Sequence, residues 1–252
     1  MLSTPEVQAE SRSPAARTLR FESVGLAPDY VPYARGLELQ RVATERLAAG
    51  ADSGTVLLLE HEPVYTAGRR AEPHEYPTDG TPVVPVNRGG KVTWHGPGQL
   101  VAYPIIRLAD GLGGVNLVHA LEDALIATIA DCGVAGYRIP GRTGVWTDPD
   151  PGSAPGSAPG SAPGASPASP QPAARPAKLA QIGIHVSRRI VTHGIALNCC
   201  NDLTPFESFV PCGVTDAGVT TLTERAGRTI TPAEVAPILR ARLAPVLERL
   251  SA

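Results

Sequence analysis

KLAQIGIHVSRRIVTHGIALNCC, residues 178–200, opens with apolar residues at every second position from Ile182 to Val186. Ile182, Ile184 and Val186 alternate with Gln181, Gly183 and His185, the period-two pattern of a half-buried strand. Ser187–Arg189 is short and polar enough for a turn, and apolar residues resume from Ile190 to Cys199. The stretch therefore predicts a β-hairpin. Working outward, TVLLLEH (55–61) and VAYPIIRL (101–108) are short apolar runs that read as buried strands. Residues 33–47 have helical character, with Gly50 as a stop. Asn116–Gly133 is the clearest helix: Asn116 is placed as its N-cap and Gly133 as its stop. Leu117, Leu121, Leu125 and Ile129 line one face, with Val118 and Ile126 alongside. At the C-terminal end Thr231, Pro232 and Glu234 form a capping box with proline at the first helical position. Val235, Leu239, Leu243, Val246, Leu247 and Leu250 share a face, and Pro245 is expected to kink or end that helix early. Strands and helices interleave, so the fold class is α/β or α+β.

Composition narrows the function. The chain has 252 residues, enough for one large domain with a real core. Its 24 acidic and 22 basic residues balance to −2, which argues against a nucleic-acid partner. No apolar run approaches the ~20 residues of a membrane span, so no membrane role is expected. The N-terminal MLSTPEVQAESRSPAAR carries Glu6 and Glu10 and lacks an apolar centre. It reads as a disordered leader over 1–17 and not as a secretory signal. Glycine and proline number 26 each, well above average usage. Much of that excess falls in residues 149–177, where PGSAPGSAPGSAPG runs into ASPASPQPAARPA. This is read as a disordered insertion within a single domain spanning 18–252, the alternative being a linker between two domains. The four cysteines include no CxxC pair, so a zinc ribbon is out and a cytoplasmic protein with reduced thiols is expected.

Three groups of residues could carry chemistry. RGGKVTWHGPGQ, residues 88–99, packs four glycines beside Arg88, Lys91, Thr93, Trp94 and His95. Such a segment is either a binding loop, whose bare backbone approaches a ligand, or a tight turn with polar decoration. It is neither a Walker A loop nor a dinucleotide fingerprint. Lys178 is one of only two lysines among 22 basic residues. Arginine keeps its proton at any working pH, whereas lysine can cycle one, so Lys178 is a candidate for amine chemistry unless it merely snorkels along a strand. Cys212 lies between Pro211 and Gly213, a turn setting in which a thiol is accessible. Cys199 and Cys200 are read as lying in an apolar strand (IALNCC) and Cys132 adjoins a helix-ending glycine, settings typical of inert thiols. Cys212 is thus the best nucleophile candidate, given a neighbouring base or cation. Among the histidines His95 stands out, because it lies in the glycine-rich segment.

Taken in order, RGGKVTWHGPGQLVAYPI, GVWT, KLAQIGIHV, THGIALN, DLTPF and PCGV resemble the octanoyltransferases of lipoate biosynthesis. The resemblance runs collinearly from about His61 to Leu222. It implies the α/β catalytic domain of the biotin and lipoate protein ligases, distantly like class II aminoacyl-tRNA synthetases. It implies octanoyl transfer from octanoyl-acyl carrier protein to the lysine of lipoyl domains, those of 2-oxoacid dehydrogenases and of the glycine cleavage H protein. Cys212 matches the acyl-thioester nucleophile and Lys178 the lysine that lowers its pKa. Arg88, Gly89, Gly90, Lys91, Val92, Thr93, Trp94 and His95, with Gln181, Ile182 and Gly183 and with Gly194, Ile195 and Ala196, match the substrate-lining segments. Neither metal nor cofactor is implied, because a thioester donor is already activated. The alternatives are an ATP-dependent lipoate or biotin protein ligase, which activates a free acid, and a non-catalytic acyl- or lipoyl-binding module.

Overall fold

A computed structural model of the chain describes residues 18–77, 80–148, 175–209 and 217–252. In chain order the elements are β1 (Arg20–Gly25), α1 (Tyr33–Ala48), β2 (Thr55–Leu59), β3 (Val64–Ala67), β4 (Val83–Pro85), β5 (Val92–His95), β6 (Gln99–Ile105), α2 (Gly114–Asp131), β7 (Tyr137–Ile139), β8 (Arg142–Thr147), β9 (Ala177–Ser187), β10 (Ile190–Asn198), β11 (Gly218–Val219), α3 (Leu222–Ala226) and α4 (Pro232–Leu250). The large sheet runs β1-β2-β6-β10-β9-β8-β7, with β11 added in parallel to the start of β9. Only the β1–β2 pair within the long run is parallel. A small sheet, β4-β3-β5, stands beside it.

Every residue of β2 and β6 is buried, because both faces of the large sheet are covered. Val56 and Leu58 of β2, with Leu100 and Ala102 of β6, join the core built with α2 and α4. The alternate residues Leu57, Leu59, Val101, Tyr103 and Ile105 pack with Ala43 and Leu47 of α1 on the other face. Double coverage is why these strands read as continuous apolar runs. The predicted hairpin is β9–β10, joined through Arg188 and Arg189, both of which adopt positive φ. That is the turn twist that hairpins favour, here without glycine.

Several expectations are corrected. Ala177 opens β9, so the insertion ends before residues 175–177; residues 149–174 and the leader lie outside the described residues. Asn116 is not the N-cap of α2. The helix begins at Gly114, and the Asn116 side chain reaches back to accept the Gly113 N–H at 3.0 Å. Pro245 does not end α4, which runs through both Pro237 and Pro245 to Leu250. Val235, Leu239, Leu243 and Leu247 are fully buried on its inner face. Each contributes about 2 kcal/mol of burial, against a cost of about 3 kcal/mol for an internal proline. Among the described residues no helix is long and apolar enough to cross a membrane.

The HGPG portion of the glycine-rich segment is a pinned turn. Glu60, almost fully buried, accepts the Gly98 N–H at 2.6 Å and the Ala27 N–H at 2.9 Å. The Gly98 carbonyl accepts from Cys199 and Cys200 N–H at 3.1 and 3.0 Å. Gly98 has φ +83, and a Cβ there would lie 2.6 Å from the Asn201 nitrogen. Substituting Gly98→Ala is predicted to destabilise the fold by about 2–3 kcal/mol, from positive-φ strain and a backbone clash. Urea unfolding of the two proteins measures this, and an unchanged midpoint would contradict it.

Candidate active site

One cleft gathers residues that are far apart in the chain. Its lining includes Arg88, Gly90, Lys91, Thr93 and His95 from the glycine-rich segment, Gln181, Ile182 and Gly183 from β9, and Gly194, Ile195 and Ala196 from β10. Hairpin pairing explains part of this, since Gly183 lies opposite Gly194 and Gln181 opposite Ala196. Strand alternation explains another part. Thr93 and His95 of β5 face the cleft, while Val92 and Trp94 pack into a separate core with Phe206 and Phe209. Gly89 lies outside the lining and donates its N–H to the Ile184 carbonyl at 2.9 Å. Cys212 lies outside the described residues.

Arg88 is the anchor of the loop. Its Nη2 donates to the Thr66 carbonyl and hydroxyl, both at 2.8 Å, and its Nη1 to the Gly89 carbonyl at 3.0 Å. A Cβ at position 183 would meet the Arg88 Cδ at 3.0 Å, so glycine there lets the Arg88 stem lie against β9. At position 194 a Cβ would stand 2.1 Å from the Ala102 carbonyl. Both glycines are therefore required by close packing within the protein. Lys91 is ion-paired with the buried Glu75, and that hydrogen bond holds its pKa above the ordinary lysine value.

Sequence reasoning missed Tyr33, Tyr103 and His193, which also line the cleft. His193 carried the one available signal, its place immediately before Gly194. It adopts φ +57 and donates its backbone N–H to the Gln40 Oε1 at 2.7 Å. Tyr33 stacks on His95 with ring centroids 6.2 Å apart. His61, unremarkable in sequence, donates through Nδ1 to the Val31 carbonyl at 2.8 Å. Its Nε2 is then an acceptor, and the Tyr103 hydroxyl donates a hydrogen bond to it at 2.7 Å.

The tautomer of His95 follows from a buried chain of hydrogen bonds. The Thr220 carbonyl can only accept, so Asn198 donates to it through Nδ2 at 3.1 Å. Asn198 Oδ1 then accepts from Gln99 Nε2 at 2.9 Å. Gln99 Oε1 is left to accept from His95 Nδ1 at 2.8 Å. His95 therefore carries its proton on Nδ1, and its Nε2 is a lone-pair acceptor. Burial, then the neighbouring His61 and Arg88, push His95 down to about 3. Burial pushes His61 and His193 down to about 4, and lifts Tyr33 to about 12. The cleft wall is thus lined with uncharged imidazoles beside the Arg88 guanidinium and the ion-paired Lys91 ammonium.

Lys178 stands apart from that lining. It is buried at the start of β9, with Nζ 5.0 Å from the centroid of the Trp146 ring. The three described thiols are unsuited to nucleophilic work. Cys199 is held well above the ordinary thiol range by burial, and Cys132 and Cys200 are raised by the same cause.

Residues 32–244 match the family described as the lipoyl protein ligase A/B catalytic domain. The octanoyltransferase of Clavibacter sepedonicus is 49% identical over 231 residues, covering 90% of each chain. That of Mycolicibacterium smegmatis is 49% identical over 218 residues, covering 86% of this chain and 85% of its own. Among solved structures, the bipartite lipoate protein ligase of Thermoplasma acidophilum, solved with its E2 lipoyl domain, superposes with a TM-score of 0.59 at 12% identity. It covers 91% of this chain and 84% of its own. Lipoate-protein ligase A bound with ATP gives a TM-score of 0.56 at 12% identity, covering 91% and 85%. These structures share the α/β fold.

The buried histidines make stability depend on pH. In the unfolded chain His61, His95 and His193 bind protons below ~6.5, whereas folded they resist protonation down to about 4, 3 and 4. Their contribution is complete above pH ~6.5 and is lost as pH falls towards 4, by about 1.4 kcal/mol per pH unit for each imidazole. Guanidinium unfolding at a series of pH values is expected to show that decline, and a flat profile across the window would contradict it. On the family match and the extent of these identities, the chain belongs to the lipoyl protein ligase A/B catalytic domain family.

Proposed function

We propose that this acyltransferase moves an octanoyl group from octanoyl-acyl carrier protein, through a thioester on Cys212, to the lysine of a lipoyl domain. The acceptors in this reading are the lipoyl domains of 2-oxoacid dehydrogenases and the glycine cleavage H protein. The observation that carries it is the convergence of Arg88, Gly90, Lys91, Thr93 and His95 with Gln181–Gly183 and Gly194–Ala196 on one cleft, in a chain about half identical to octanoyltransferases over most of its length. Cys132 and Cys199 are buried and Cys200 is half-buried, and desolvation raises the pKa of all three thiols, which supports Cys212 as the nucleophile.

The chemistry balances with one lysine and one cysteine. Lys178 takes the Cys212 proton, and the thiolate adds to the thioester carbonyl of the donor. The tetrahedral intermediate collapses with loss of the carrier sulfur, which takes its proton from the Lys178 ammonium. Neutral Lys178 then accepts one proton from the incoming lysine ammonium. That amine adds to the acyl-cysteine, a C–N bond replaces the C–S bond, and the remaining proton leaves to solvent. Thiolate and ammonium are restored. Thioester exchange is close to isoenergetic, whereas amide formation from a thioester is strongly favourable. An ATP-dependent ligase is the competing reading, favoured by the fold it shares with lipoate-protein ligase A. A ligase that activates a free acid has no need of a nucleophilic cysteine.

Peptide mapping after reaction with octanoyl carrier protein is expected to place the adduct on Cys212; an adduct on another thiol, or full turnover by Cys212→Ala, would refute the assignment. Lys178→Arg keeps the charge but cannot cycle a proton. Its iodoacetamide alkylation is expected to stay near normal, with turnover down by ~100-fold or more. Turnover within a few-fold of the parent protein would reduce Lys178 to an electrostatic role.

A further inference from the structure

The chain's two lysines are held in opposite ways. Lys91 is locked in an ion pair with the buried carboxylate of Glu75. Lys178 is also buried, yet among the described residues its ammonium forms no ion pair with a carboxylate; the group facing it is the indole of Trp146, 5.0 Å away. The local chain builds that contact. Leu179 is an extra residue in β9, so Trp146 pairs with Lys178 while the preceding Val145 pairs with Ala180. Such bulges re-aim side chains beside functional sites. The indole is fully buried and fixed by its own N–H, which donates to the Arg142 carbonyl at 3.1 Å. Gly144 clears the lysine's path: a Cβ there would stand 2.7 Å from the Lys178 Cε. Gly144 adopts φ +122, and its N–H is held by the buried Glu122 at 2.9 Å.

We propose that Trp146 is the positioning residue for Lys178, its ring face holding the ammonium where an acid partner would otherwise stand. The proposal rests on the reading that Lys178 cycles a proton. A carboxylate partner would stabilise the ammonium strongly and hinder release of the proton. The quadrupole of an aromatic face attracts the cation more weakly. It orients the stem and offsets part of the desolvation, and it leaves the proton free to move.

With only two lysines in the chain, protein labelled with 13C at the lysine ε-carbon gives two signals. The Lys178 signal is expected to be displaced by the indole ring current and the Lys91 signal to lie at the ordinary position. Trp146→Leu should abolish the displacement and slow octanoyl transfer by ~10-fold. Trp146→Phe, which keeps an aromatic face, should retain most of the displacement and stay within ~3-fold of the parent. Leu and Phe both leave a smaller side chain than Trp, so a purely structural role would cost both variants alike. Two undisplaced lysine signals in the parent protein, or equal losses in both variants, overturn the proposal. If Trp146→Leu fails to fold, the parent spectrum and the Phe variant still decide. A displaced Lys178 signal in a chain that transfers no octanoyl group would refute the functional reading while keeping the ring contact.

Discussion

A guanidinium buried in a protein must be surrounded by oxygens, and the cleft is organised around meeting that demand for Arg88. Its donors take the carbonyl and hydroxyl of Thr66 and the carbonyl of Gly89. Those partners bind the glycine-rich loop to β3, and the backbone adds further straps: Arg69 N–H to the Arg88 carbonyl at 3.0 Å and Arg70 N–H to that of Gly90 at 3.1 Å. A charge fixed there acts on everything nearby. It lowers the pKa values of His95 and His193 after burial has already done so. The cleft therefore presents hydrogen-bond acceptors without adding protonated imidazoles.

The second organising feature is continuity between the cleft and the candidate proton carrier. The chain that sets the His95 tautomer ends on Thr220, whose N–H donates to the Lys178 carbonyl at 3.0 Å. Thr220 also donates its hydroxyl to Glu224 at 2.7 Å, which caps α3 through Thr221. Thr220, the residue that follows the short strand β11, thus ties the wall holding His95 to the strand holding Lys178. Buried networks of this kind rigidify when each member is satisfied.

The sequence made the fold readable where one force dominated. The alternation through Ile182, Ile184 and Val186 marked β9, and the Thr231–Glu234 capping box marked the start of α4, because both are local patterns. Pro245 misled, since its local cost is smaller than the burial of the leucines around it, and that balance is tertiary. The site was readable as segments and not as an assembly. Nothing local says that Val92 and Trp94 turn away from the cleft while Thr93 and His95 face it, or that Tyr33, at the first turn of a distant helix, stacks on His95. Trp146 is likewise invisible as a neighbour of Lys178 until the bulge in β9 sets the register.

The central claim, that an octanoyl group passes through this chain from a thioester donor, is tested most directly by intact mass spectrometry. The protein is mixed with octanoyl carrier protein in the absence of ATP, and a lipoyl domain is then added. A single octanoyl unit is expected to appear on the enzyme and to move to the lipoyl domain as the enzyme returns to its original mass. Octanoylation of the lipoyl domain only from free octanoate with ATP, with no acylated enzyme along the way, would contradict the account.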